Sequence, residues 1–120
     1  MKENRPPICL IVDDNKVAIV LLRQLLAKIG TITIAGECSD AIEAKEFIEN
    51  NEIDILFLDV EMPGISGIEL LKLIPREKRP LTILTTAKKG YAVEAFELNV
   101  VDYLVKPFTL IRLIASIDRA

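Results

Sequence analysis

Along this chain, short runs dominated by Ile, Leu and Val alternate with segments whose apolar positions recur at helical spacing. Five runs read as strands: Ile8–Asp13, Ile32–Glu37, Ile55–Asp59, Thr82–Thr86 and Val101–Val105. All but the last have the composition of parallel strands buried on both faces. The first helical pattern spans Lys16 to Ile29, with Asn15 placed to cap it and Gly30 to end it. Its residues Ala18, Leu22, Leu25, Leu26 and Ile29 form one apolar face. The second starts near Asp40, where Asp40 and Glu43 have capping-box spacing, and is expected to fray at Asn50-Asn51. Ser66 or Gly67 opens the third, which carries Ile68, Leu71 and Ile74 and stops before Pro80. A fourth lies around Tyr91 to Leu98. The fifth runs from Thr109 to the chain end, with Leu110, Leu113, Ile114 and Ile117 at i, i+3, i+4 and i+7. Regular βα alternation predicts a three-layer sandwich around a parallel sheet.

Composition narrows the class. A chain of 120 residues with 51% hydrophobic and 28% charged residues fits one domain with its own core, so residues 1–120 read as a single domain. A net charge of −3 argues against gripping nucleic acid directly; Arg76, Lys78 and Arg79 read as loop decoration. Cys9 lies inside a strand run and Cys38 precedes a helix, so reduced thiols and a cytoplasmic location are expected. Residues 1–7 lack the apolar core of a secretory leader, and no apolar run approaches the ~18 residues of a membrane span. The chain has no histidine, so no histidine of its own can act as catalyst or phosphoryl donor.

The polar ends of the apolar runs carry the chemistry. Asp13-Asp14, Asp59, Thr85-Thr86 and Lys106 all fall at C-terminal strand tips, the sheet edge where open α/β folds bind ligands. Taken singly, an aspartate there is a turn former or cap, a threonine is a strand former, and a lysine is a loop charge. Together they imply a shared site. Like charges about 4 Å apart repel by roughly 4 kcal/mol at an effective dielectric near 20. Lys106 cannot offset three acids, so a divalent cation is the natural completion. An all-oxygen ligand set favours magnesium, with manganese as a substitute, and magnesium in turn points to phosphoryl chemistry.

Asp13-Asp14 after an apolar strand, Leu58-Asp59-Val60-Glu61-Met62-Pro63-Gly64-Ile65-Ser66-Gly67, Thr86-Ala87 and Lys106-Pro107-Phe108 together resemble the receiver domain of two-component response regulators. The resemblance implies a flavodoxin-like fold: five parallel strands in the order 2-1-3-4-5 with five helices. It implies that Asp59 is the phosphoacceptor and takes the phosphoryl group of a sensor histidine kinase or a histidine phosphotransfer protein. Asp14 would bind magnesium directly, Asp13 mainly through water, and Asp59 and the Glu61 backbone carbonyl would complete the protein ligands. Lys106 would pair with the Asp59 carboxylate and then with the phosphoryl group. Thr86 would hydrogen-bond a phosphoryl oxygen, with Thr85 the competing candidate, and Tyr103 falls at the aromatic switch position. Glu61 and Lys88 are the positions to vary for the acyl phosphate lifetime. Such a domain is a switch controlling an output, not an enzyme with external turnover. The segments Tyr91 to Asn99 and Asp102 to Pro107 are similar to receivers that precede LytTR-type DNA-binding domains, although Lys88-Lys89-Gly90 departs from that pattern.

Surface residues suggest partners. Val17, Val20, Val93 and Ile111 exceed what one buried face needs. The first helix would dock the kinase, and the fourth helix, fifth strand and fifth helix would form a homodimer or output contact. Tyr91 and Phe96 are expected to pack under the fourth helix. Two other classes compete. A magnesium-dependent phosphohydrolase or nucleic-acid-cutting domain would also use strand-tip acids, but Asp59-Val60-Glu61 fits the Asp-x-Asp haloacid-dehalogenase pattern poorly. A phosphorylation-independent binding module would not require the complete set of acids, threonine and lysine.

Overall fold

The structure is a computed structural model that describes residues 5–120. Part of the leader-segment reading, residues 1–4, lies outside the described residues. The chain alternates strands β1 (Ile8–Val12), β2 (Thr33–Cys38), β3 (Ile55–Asp59), β4 (Leu81–Thr86) and β5 (Asp102–Val105) with helices α1 (Lys16–Ile29), α2 (Ala41–Asn50), α3 (Gly67–Leu73), α4 (Ala92–Glu97) and α5 (Leu110–Asp118). A 3-10 turn, Arg76–Lys78, follows α3 and exposes its charges. The strands form one sheet in the order β2-β1-β3-β4-β5, and every neighbouring pair is parallel.

Each sheet face carries its own core, as expected for strands buried on both sides. Cys9, Ile11, Ile55, Phe57, Ile83 and Leu104 meet Ile19, Leu22 and Leu26 of α1 and Leu113 of α5. On the other face, Leu10, Val12, Leu56, Leu58 and Leu84 meet Ala41 and Ala44 of α2, Leu70 and Leu71 of α3, and Ala95 of α4. Both cysteines are buried free thiols, and burial pushes each up to about 12. No helix among the described residues is long and apolar enough to cross a membrane.

The α1 caps match the sequence. The Asn15 side chain accepts from the Val17 and Ala18 amides, and Gly30 closes the helix at φ 77° with its amide on the Leu26 carbonyl. Asp40 caps α2, but Glu43 bonds the Ser39 amide one residue before the cap, so the pair is not a closed capping box. The complete box is Ser66 with Glu69 at the head of α3. Asn50 and Asn51 do not fray α2; their side-chain amides donate to the Glu46 and Phe47 carbonyls and tie off its end.

Two helix faces differ from the expected ones. In α1, Ile19 is buried while Ala18 is only half-buried; in α5, Ser116 is buried and Ile114 is exposed. Tyr91 packs against the core as expected, whereas Phe96 is 86% exposed. The buried residue of α4 is Ala95.

Candidate functional site

The strand order reverses direction between β1 and β3: the chain leaves β1 toward β2 and leaves β3 toward β4. Asp13, just past β1, and Asp59, the last residue of β3, therefore end adjacent strands at the switch point of the sheet. Main-chain bonds fix both tips. The Asp13 amide donates to the Cys38 carbonyl (3.0 Å), and the Val60 amide donates to the Thr85 carbonyl (2.9 Å). Asp13 turns the chain into α1 by accepting from the Asn15 amide (2.9 Å).

Asp13, Asp14 and Asp59 each bring a carboxylate oxygen within 4.8 Å of the others. Asp13 and Asp59 are buried, at 5% and 3% exposure, and Asp14 is exposed. Lys106, at the end of β5, donates from Nζ to Asp13 Oδ2 at 2.8 Å and stands 3.5 Å from Asp59 Oδ1. It is delivered by the Lys106 amide bond to the Thr86 carbonyl (2.7 Å) and is followed by a cis peptide to Pro107. Burial pushes the Asp59 carboxyl up to about 7; Lys106 works against this, and the Asp13 carboxylate adds to it. Burial also disfavours the Lys106 charge, but its bonds to Asp13 and Asp59 outweigh that and raise its pKa. One ammonium faces three carboxylates, all donors are oxygen, and a groove of about 330 Å³ opens beside Asp13 and Asp14. These residues fit a hard divalent cation.

Glu61 follows in the β3–α3 loop, its amide 3.3 Å from Asp59 Oδ1. The loop is pinned by the Gly67 amide on the Val60 carbonyl (3.0 Å). Space there admits only glycine: a Cβ on Gly67 would lie 2.3 Å from the Asp59 carbonyl oxygen.

The two threonines separate by sheet face. Thr85 pairs with Asp59 in register and lines a small cleft with Asp13, Lys106 and Phe108. Thr86 lies one step beyond the Asp59 pair and is fully buried. Its hydroxyl donates to Glu61 Oε2 (2.5 Å) and accepts from the Lys88 amide (3.0 Å), while the Ala87 amide donates to Glu61 Oε1 (2.9 Å). Tyr103 pairs with Leu84, packs half-buried on the same face as that residue, and so stands on the Thr86 side of the sheet. The structure thus brings together Asp13, Asp14, Asp59, Lys106 and the β3–α3 loop bearing Glu61, with Thr86 bound to that loop and Tyr103 one layer behind.

Three features escaped the sequence reading. Glu61 was singled out for the acyl phosphate lifetime, but its side-chain bonds to Thr86 and Ala87 were not foreseen, because nothing in a linear motif announces a contact that depends on how two loops fold. The close approach of Gly67 to Asp59 was signalled only by a glycine at a helix start. Asp102, buried, accepts from Arg112 at 2.6 and 3.0 Å and lies 3.1 Å from Arg119, bracing β5 against α5.

Known proteins share this fold and sequence. The family model described as "Response regulator receiver domain" matches residues 9–118. The transcriptional regulatory protein BtsR of Escherichia coli is 42% identical over 110 residues, which are 92% of this chain and 46% of that protein. The chain thus spans about half the length of the curated relatives it matches. The response regulatory domain of mrkE from Klebsiella pneumoniae superimposes with a TM-score of 0.85 at 32% identity, covering 93% of each chain. The response regulator TrrA of Thermotoga maritima, solved in complex with Mg(2+)-BeF, gives 0.82 at 30% identity, covering 94% of this chain and 97% of that one.

Proposed function

The chain belongs to the response regulator receiver domain family, and from that premise we propose that it is a phosphorylation-activated switch whose acceptor is Asp59. One observation carries the reading: Asp59 is buried beside Asp13 and Asp14 within 4.8 Å, with Lys106 bridging Asp13 and Asp59. Such an arrangement is costly for stability and serves no packing need, which marks it as functional.

Asp59 is the nucleophile. Its carboxylate oxygen attacks a phosphorus already activated in a phosphohistidine, the N–P bond breaks, and the imidazole leaves. These 120 residues contain no histidine, so the donor histidine lies outside them, on a sensor histidine kinase or a histidine phosphotransfer protein. Lys106 orients the Asp59 carboxylate and balances charge on the transferred group. Asp13, Asp14, Asp59 and the Glu61 carbonyl would hold magnesium, or manganese in its place, which when bound supplies positive charge to the phosphoryl oxygens. Thr86, on the far side of the β3–α3 loop, reports the modification by bonding a phosphoryl oxygen, and Tyr103 relays the change. Thr85 is the weaker candidate because it faces the α1 side, away from the Tyr103 layer.

Residues 1–120 act as one receiver that accepts and loses its own phosphoryl group and turns over no external substrate, working in the cytoplasm without binding nucleic acid or membrane itself. Transcription regulation would come from an output region, as the name of BtsR suggests for that relative. The α4–β5–α5 face exposes Val93, Phe96 and Ile111 at 66%, 86% and 80%, and supports a homodimer or output contact. Val17 and Val20 on α1, 69% and 51% exposed, support kinase docking beside the acids. A phosphohydrolase is disfavoured because the carboxylate at position 61 is engaged by Thr86 and Ala87 rather than placed beside Asp59 as an acid. The test is beryllofluoride with magnesium followed by amide NMR. Shifts centred on Asp59, Thr86, Ala87 and Lys106 are expected; an unchanged spectrum would refute the site.

A further inference from the structure

The carboxylate of Glu61 sits on Thr86, the donor assigned to the phosphoryl group, and on the neighbouring Ala87 amide. Oε2 takes the Thr86 hydroxyl at 2.5 Å and Oε1 takes the Ala87 amide at 2.9 Å. The Thr86 hydroxyl has one proton to give and two acceptors within reach; the Glu61 carboxylate, anionic and at 2.5 Å, outcompetes the Lys88 carbonyl at 3.1 Å, while the hydroxyl oxygen accepts from the Lys88 amide. A carboxylate bound through both oxygens to a hydroxyl and a backbone amide presents the same face as two oxygens of a phosphoryl group: planar or tetrahedral, both are anionic and accept only. The same residue is anchored to the acceptor through its own main chain, the Glu61 amide reaching Asp59 Oδ1.

We propose that Glu61 is an internal competitor for the phosphoryl group on Asp59, holding Thr86 and Ala87 until the modified carboxylate displaces it. This rests on the reading of Asp59 as acceptor. Glu61 acts through Thr86 and is a positioning residue, not a catalytic one. Its side chain is half-buried at the loop surface, so it can swing into water once displaced, and its charge is then solvated at little cost. Phosphorylation therefore exchanges one anion for another at the same two donors. The free energy available to drive the switch is the difference between the two, not the whole value of the new bonds. A receiver with a side chain unable to accept at this position would form the active arrangement more readily and hold it longer.

The probe is beryllofluoride with magnesium, titrated into wild type, Glu61→Ala, Glu61→Gln, Thr86→Ala and the Glu61→Ala/Thr86→Ala double variant, with affinity read by calorimetry and folding checked by amide NMR. Losing a competitor held by charge-assisted bonds should tighten Glu61→Ala by about tenfold. Glu61→Gln keeps one carbonyl oxygen for the Ala87 amide and should fall between wild type and Glu61→Ala. In the Thr86→Ala background the gain from Glu61→Ala should shrink to less than about threefold, because the hydroxyl, one of the two contested donors, is gone and only the Ala87 amide remains. Unchanged or weaker binding by Glu61→Ala overturns the proposal. So does a gain that persists in full without Thr86, since Glu61 would then act only by repelling an anion. Failure of all five proteins to bind sinks the acceptor reading and this one together; binding by wild type without the Glu61 effect sinks this one alone.

Discussion

Replacing Asp59 with Asn should stabilise the cation-free protein, and should do so only above acid pH. The Asp59 side chain is buried, and its carboxyl is pushed up to about 7 from an ordinary 3.8. An acid whose folded pKa lies above its unfolded one favours folding in its protonated form. That contribution is complete below about pH 4 and is lost as pH rises to about 7. A gap of about three pH units at 1.36 kcal/mol each sets a ceiling near 4 kcal/mol. Lys106 shares the charge and its side chain is 25% exposed, so water screens the pair and about 2 kcal/mol is the working figure. For a domain of this size that is a rise in Tm of about 8 °C at pH 8 and almost none near pH 4. Thermal melts of wild type and Asp59→Asn at the two pH values, with a chelator present, measure it. Magnesium should narrow the difference by offsetting the wild-type charge. An equal gain at both pH values would refute the reasoning, because the effect would then come from packing.

Other outcomes follow from single contacts. Gly67→Ala forces a Cβ against the Asp59 carbonyl; it should cost about 2–3 kcal/mol in urea denaturation and also impair modification of Asp59. Asp102 is buried, which opposes its charge, but the bonds from Arg112 and the Tyr103 amide hold its carboxyl below the usual range. Asp102→Asn should therefore cost about 1–2 kcal/mol near neutral pH, discounted because Arg112 is partly exposed, and the loss should fade as pH falls through the carboxylate range. Ile111→Glu places a charge on an 80% exposed apolar position; the fold should be unaffected, while phosphorylation-dependent dimerisation, read by light scattering, should be lost.

Strands β1, β3 and β4 were legible because their residues are buried on both faces, whereas β2, at the sheet edge, exposes Thr33, Ala35 and Glu37 against the expectation of a fully buried strand; the site was legible because strand tips in such a sheet converge on one edge. Asn15 and Gly30 set the limits of α1 through local chemistry that needs no partner. Where the reading failed, the deciding contact was tertiary. Helices α1 and α5 carry apolar residues around more than half their circumference, so periodicity alone does not say whether Ile19 or Ala18, Ser116 or Ile114, turns inward. Phe96 was expected to pack with the fourth helix, yet the short helix α4 seats Ala95 in the core and leaves the ring in solvent. The Glu61 contact joins residues 25 apart in sequence across two loops, beyond the reach of any local rule.

The central claim is that Asp59 takes the phosphoryl group. Incubation with acetyl phosphate and magnesium, followed by intact mass measurement, tests it most directly: the Asp59 carboxylate displaces acetate and keeps the phosphoryl. The account predicts one phosphoryl adduct on wild type, none on Asp59→Asn, and none when magnesium is chelated. No adduct on wild type, or one that survives Asp59→Asn, would contradict it.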